Sequence, residues 1–129
     1  MYSLYFDGAS KHNPGHAACG AVLYDEYDIE IDNDSKYLGN NITNNYAEYM
    51  GLIIGLQLAL KNNITEISVY GDSLLVINQM NGVWKVKHDI LKKLYANANK
   101  LIKSFDKMIF IHITRDKNKR ADELANTKL

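Results

Sequence analysis

A mixed α/β fold is predicted for this chain: a five-stranded sheet, three strands antiparallel and two parallel, with helices on both faces. Two observations carry the prediction. Three strand-like runs precede the first helical pattern, and after it helix and strand patterns alternate, as crossovers between parallel neighbours require. The 129 residues, 47% hydrophobic and 23% charged, suffice for one core that needs no disulfide or structural metal. Residues 1–129 are therefore expected to form a single domain.

Tyr2 to Phe6 is a short aromatic and aliphatic run closed by Asp7-Gly8, which reads as a strand entering a loop from Lys11 to Gly15. Ala17 to Tyr24 and Ile29 to Leu38 flank an acidic turn at Asp25 to Asp28. Ile29 and Ile31 alternate with acids, so an antiparallel hairpin with one wet face is expected. Asn40 to Asn45 is a polar break. From Tyr46 onward Ala47, Met50, Ile53, Ile54, Leu56 and Leu58 recur at helical spacing until Lys61-Asn62-Asn63. Ile64 to Tyr70 is a β-branched run cut by Gly71, and Asp72-Ser73 suits the cap of a short helix through Met80. Asp89 to Phe105 carries the apolar stripe Ile90, Leu91, Leu94, Ala98, Leu101 and Ile102. Met108 to Ile113 predicts the last strand. Asn118 onward, with Ala121, Leu124 and Ala125, predicts a short final helix.

Composition narrows the setting. A single cysteine, Cys19, excludes an intramolecular disulfide framework, and no run approaches the ~18 to 20 apolar residues that span a bilayer. The amino terminus MYSLYFDG has neither the basic start nor the apolar stretch of a signal peptide, so an intracellular protein, cytoplasmic or nucleoid/nuclear, is expected. Basic and acidic side chains cancel, at 15 each, yet they are segregated. Up to Gly82 there are 3 basic residues against 10 acidic ones, and from Val83 onward 12 against 5. That division suits carboxylates that hold cations beside lysines that hold phosphates, although a lysine-rich helical face exposed to water gives the same count.

Four acids stand out by position. Asp7 follows the first strand, Asp72 follows the fourth, and Glu48 and Asp122 open helices that must pack on the sheet. Ligand sites in open α/β sheets gather beyond the carboxyl ends of strands. Singly, each acid has an ordinary explanation: a turn for Asp7-Gly8, a cap for Asp72, a capping box with Asn45 for Glu48, an exposed helix residue for Asp122. Brought together they repel, and divalent cations or protons must neutralise them. An all-oxygen set suits Mg²⁺ or Mn²⁺, whereas His12, His16, His88 and His112 are scattered and show no zinc-ligand spacing.

The segments Tyr5-Phe6-Asp7-Gly8-Ala9-Ser10 with Asn13-Pro14-Gly15, Thr43-Asn44-Asn45-Tyr46-Ala47-Glu48-Tyr49, Gly71-Asp72-Ser73 with Val76 and Gln79, and Asn118 with Ala121-Asp122-Glu123-Leu124-Ala125 resemble, in order and spacing, the type 1 ribonucleases H. The resemblance spans nearly the whole chain. It implies the ribonuclease H-like sheet and an endonuclease that hydrolyses the RNA strand of RNA/DNA hybrids to 5′-phosphate products. Asp7, Glu48, Asp72 and Asp122 would be the catalytic carboxylates and the ligands of two Mg²⁺ or Mn²⁺ ions, in two-metal sites about 3.5 to 4 Å apart. Asn13, Asn44 and Asn45 would read the minor groove of the hybrid. Thr43 would hold a phosphate, Trp84 would press on sugars beside Lys85 and Lys87, and Asn118 would be a further substrate contact. A monomer with no protein partner and no membrane association is expected.

Two departures qualify the resemblance. Val83 to Lys107 is too short for the extra basic helix and loop of many family members, which places the grip on Lys85, Lys87, Lys92 and Lys93. The loop before the last acid, Thr114 to Asn118, holds no histidine; His112 is expected inside the preceding strand as a structural residue, and Arg115 is the candidate substitute. A guanidinium stabilises phosphate or organises water and is no general base. A same-fold nuclease acting on double-stranded RNA, a non-catalytic hybrid-binding module and a Mg²⁺ phosphohydrolase on small esters remain open on the sequence.

Overall fold

The computed structural model describes all 129 residues. In chain order they form β1 (Tyr2–Ser10), β2 (Gly15–Tyr24), β3 (Glu30–Ile42), α1 (Asn44–Lys61), β4 (Glu66–Gly71), α2 (Leu74–Met80), α3 (Asp89–Ile102), β5 (Lys107–His112), a 3-10 turn at Arg115–Lys117 and α4 (Lys119–Asn126). The strands lie in the order β3-β2-β1-β4-β5. β1 and β3 pair antiparallel with β2, while β4 pairs parallel with both β1 and β5. The predicted mixed sheet is thus observed, and no helix is long and apolar enough to cross a membrane.

Helices cover both faces of β1 and β2, which explains the unbroken burial of β2 from Ala17 to Leu23. A strand covered on both faces reads as a continuous apolar run, where a half-exposed one alternates. Cys19, Ala21 and Leu23 join Leu4 and Phe6 of β1 in the main core beneath α1. Val22 points the other way, onto Ala121 and Leu124 of α4. Burial drives the Cys19 thiol up to about 12, so it behaves as a small apolar side chain. α1 is apolar nearly all round because the sheet lies on one side and Leu91, Leu94 and Ala98 of α3 complete the core on the other.

Several boundaries move, each for a reason that lies outside the local sequence. β1 does not stop at Phe6. It continues to Ser10 because β2 continues beside it, with Asp7 opposite Gly20 and Ser10 opposite Ala17. Asp7-Gly8 is therefore strand and not turn. The parallel ladder to β4 ends at Phe6 and Gly71, so Asp7 is still the first residue beyond that neighbour. The polar break at Asn40 is strand as far as Ile42, which pairs with Gly15. Ile29, just before β3, and Ile31, within it, are exposed, 59% and 42%, so their alternation with acids does not mark a core face. α3 ends at Ile102, before Phe105, and α4 begins at Lys119 after its own 3-10 turn.

Gly20 is where α4 seats on the sheet. A β-carbon there would lie 2.7 Å from both Ala121 O and Ala125 N, distances no van der Waals contact tolerates. Gly20→Val should push α4 off β2 and destabilise the protein by about 1–3 kcal/mol, the usual cost of overpacking. A urea melt checks it: the midpoint should fall, and an unchanged midpoint would show that α4 does not depend on this contact.

Candidate active site

Asp7, Glu48 and Asp72 come from β1, α1 and the turn after β4, yet one oxygen from each lies within 4.8 Å of the others. Asp7 and Glu48 are buried, at 6% and 8% exposure. Asp122, in the first turn of α4, lines the same cleft but stands outside that 4.8 Å group. The cleft, of about 330 Å³, is lined by all four together with Gly8, Ser10, Asn44, Asn45, Ser73 and Arg115.

The backbone of Gly8 organises two of the acids, donating to Asp7 Oδ1 at 2.9 Å and to Glu48 Oε1 at 2.6 Å. No side chain fits at Gly8, because a β-carbon would stand 2.2 Å from the Ala47 carbonyl carbon of α1. Glu48 is therefore no capping residue: Thr43 caps α1, its hydroxyl accepting from Tyr46 N at 3.2 Å. Asp72 is held from α4, where Asn118 Nδ2 donates to Asp72 Oδ2 at 2.8 Å and to Phe6 O at 2.9 Å.

No lysine or arginine forms an ion pair with any of the four acids; the ion pairs of the protein are Lys92–Asp89, Arg120–Glu30 and Arg120–Glu123. Burial first, and then the negative charge of Asp72, drives the Asp7 carboxyl up to about 7. Burial first, and then the charges of Asp7 and Asp72, also raises Glu48 well above the carboxylate range. The cluster thus fits an oxygen-ligated divalent cation: hard carboxylate donors, uncompensated charge, and no histidine or cysteine among the cleft residues.

The remaining site expectations divide. Asn13, Thr43 and Asn45 are exposed and border a groove of about 560 Å³ with Tyr46, His88 and Ile90, continuous with the cleft through Asn45. Asn13 Oδ1 accepts from Asn44 N at 2.9 Å, and Asn44 Oδ1 from Ser10 N at 2.8 Å. These bonds tie the β1–β2 loop to the start of α1 through the amide oxygens. Trp84, 45% exposed, and Lys85 and Lys87, also exposed, lie between α2 and α3. Arg115 is exposed and lines the cleft.

Three more residues have defined partners. Asn118, expected as a substrate contact, is 1% exposed, with its amide turned inward onto Asp72 and Phe6. His112 lies in β5, as its last residue, exposed but with Nε2 3.3 Å from Asp72 O, in keeping with the structural role expected of it. Arg120 is held by Glu30 at 2.8 and 3.1 Å and by Glu123, so the sequence's assignment of phosphate contacts to lysines and not to Arg120 needs no change. Two contributors were missed. Gly8 N–H was read as turn chemistry. Gln79, 5% exposed, accepts from Tyr49 OH at 2.5 Å and donates to Lys85 O at 3.2 Å, so it fixes the segment that carries Trp84. A glutamine on the buried side of a short helix was the available signal.

The raised carboxyls set the direction of the pH dependence. Their protonated forms belong to the folded state, so the stability they contribute is full below the ordinary carboxyl range and is lost as pH rises, for Asp7 through about 7. With chelator present, the melting temperature should fall between about pH 4 and pH 7, and Asp7→Asn should flatten that fall. Excess Mg²⁺ at pH 8 should reverse it. A melting temperature that rises across this window would contradict the cluster as described.

A family model described as reverse transcriptase-like matches residues 5–128. A bifunctional protein of Mycobacterium tuberculosis is 45% identical over 120 residues, covering 93% of this chain and 33% of its own length. Ribonuclease HI of Halobacterium salinarum is 39% identical over 125 residues, covering 97% of this chain and 62% of its own length. The chain thus spans a third to under two thirds of these relatives. The crystal structure of the Halobacterium ribonuclease H1 superposes with a TM-score of 0.95 at 38% identity, over 98% of this chain and 96% of that one. LC11 ribonuclease H1, isolated from compost and crystallised in complex with an RNA/DNA hybrid, superposes with a TM-score of 0.92 at 38% identity, over 98% of this chain and 95% of that one. With its segments in the family's order and its acids gathered at one end of the family's sheet, this chain belongs to the ribonuclease H family.

Proposed function

We propose that residues 1–129 act as one catalytic domain, a monomer without a protein partner inside the cell, that hydrolyses the RNA strand of RNA/DNA hybrids and leaves 5′-phosphate and 3′-hydroxyl ends. The observation that carries the reading is the convergence of Asp7, Glu48 and Asp72 within 4.8 Å with no cationic side chain paired to them. Family membership and the hybrid held by the LC11 relative support the substrate.

Asp7, Glu48, Asp72 and Asp122 would hold two Mg²⁺ or Mn²⁺ ions, which when bound supply Lewis acidity at the phosphoryl oxygens and a lowered pKa of water. The chain supplies the rest. Gly8 N–H and Asn118 keep the carboxylates in place, so the site does not reorganise as charge develops. Arg115, at the cleft mouth and charged at any working pH, would steady a phosphate or the attacking water. The NH₂ groups of Asn13, Asn44 and Asn45, whose carbonyl ends are partly engaged within the fold, would reach the 2′-hydroxyls that distinguish RNA in a wide, shallow minor groove. Thr43 would hold a phosphate of the DNA strand, with Trp84, Lys85 and Lys87 pressing on that strand from the segment that Gln79 fixes.

An end-labelled hybrid incubated with Mg²⁺, Mn²⁺ or chelator, beside RNA and DNA duplexes of the same sequence, tests the reading. Cleavage of the hybrid alone, lost with chelator and reduced about 10³-fold or more by Asp7→Asn, is expected, several kcal/mol of charge stabilisation being removed. Cleavage of duplex RNA at the same rate would overturn the substrate. Trp84→Ala should raise KM for the hybrid about tenfold with kcat nearly unchanged, in keeping with the loss of one stacking contact.

A further inference from the structure

We propose that Asn118 is a positioning residue that sets the Asp72 carboxylate against the Asp7 backbone and does not meet substrate. The proposal rests on the reading that Asp72 ligates a cation. Asparagine at a helix start ordinarily turns its side-chain oxygen back onto a free N–H of the first turn. Asn118 stands at the start of α4 and makes no such bond. Both hydrogens of Nδ2 go elsewhere, one to Phe6 O at 2.9 Å and one to Asp72 Oδ2 at 2.8 Å. Its Oδ1 is buried without any partner. The reverse amide orientation would set an oxygen against two acceptors, so the observed orientation is the only one these neighbours allow.

A forgone cap and an orphaned buried acceptor at one residue are local penalties of the kind that accompany a functional constraint. What the residue gains is a junction. Phe6 is the chain neighbour of Asp7, Asp72 follows β4, and Asn118 O accepts from the backbone N–H of Asp122 at 3.1 Å. A single buried side chain, with its own carbonyl, therefore connects the segments that carry three of the four acids. With Oδ2 of Asp72 held, the other carboxylate oxygen keeps a fixed direction, the usual task of a residue behind a metal ligand.

Asn118→Ser tests the idea cleanly, because serine is a good helix cap but is too short to span Phe6 O and Asp72 Oδ2. Asn118→Ala serves beside it. Thermal melts, calorimetric titration with Mn²⁺, and kcat and KM on the hybrid are measured for the wild type, both variants, and each variant combined with Asp72→Asn. Asn118→Ser should melt within a few degrees of wild type, bind Mn²⁺ about 10- to 100-fold more weakly, and lose kcat while KM stays within about twofold. In the Asp72→Asn background neither substitution should weaken Mn²⁺ binding further. A raised KM with wild-type Mn²⁺ affinity would restore the substrate-contact role and overturn the proposal, as would an equal loss of Mn²⁺ affinity in the Asp72→Asn background. If Mn²⁺ binding depends on Asn118 but the wild type leaves hybrids intact, positioning stands and the substrate reading falls. If the wild type cleaves hybrids and Asn118→Ser matches it, positioning alone falls.

Discussion

Repulsion among buried carboxylates is the constraint around which this protein is arranged. With oxygens inside 4.8 Å, each ionised pair of Asp7, Glu48 and Asp72 opposes folding by on the order of 3 to 4 kcal/mol at an effective dielectric near that of a protein surface. A domain of this size has only about 5–15 kcal/mol of net stability to set against it. The fold answers with hydrogen-bond donors: one N–H at Gly8 serves two of the acids, and one amide at Asn118 holds the third. None of these donors carries a full charge. The remaining neutralisation has to come from protons, which the raised Asp7 and Glu48 carboxyls hold longest, or from cations that displace them.

Topology supplies the convergence. Because β1 and β4 are parallel neighbours, the residues after their paired segments, Asp7 and Asp72, emerge at the same end of the sheet. The antiparallel strand β2 lets β1 run on for several residues beyond β4, which places Gly8 directly under α1. That close approach admits Glu48, an acid set among the apolar residues of a helix otherwise devoted to the core. α4 closes the group from the other face, seated on Gly20 and fastened at its outer side by Arg120 to Glu30. Core and chemistry are thus linked through glycines, since close backbone approach at Gly8 and Gly20 fixes where the two acid-bearing helices lie.

Much of this was legible in the sequence, and what was not has a common cause. Runs such as Ala17 to Tyr24, and the alternation of helix and strand after Lys61, announced the mixed sheet because period and β-branching are local properties. The four acids were found by where they sit relative to those runs. The extension of β1 through Asp7 was hidden because its cause is a partner strand that lies across a turn. For Glu48 the local spacing permits a capping role beside the metal-holding one, and the bond from the Gly8 backbone, forty residues earlier, is what sets the cap aside. The inward turn of Asn118 and the pairing of Arg120 with Glu30 likewise depend on partners far off in the chain. Each miss falls where a tertiary contact overrides a local preference.

The most direct test is to locate the cation itself. Crystals grown with Mn²⁺ and measured at the manganese absorption edge should show anomalous density among the carboxylates of Asp7, Glu48, Asp72 and Asp122, and that density should vanish in Glu48→Gln crystals grown the same way. Manganese bound only at surface acids, with the cleft carboxylates protonated or moved apart, would contradict the account at its root.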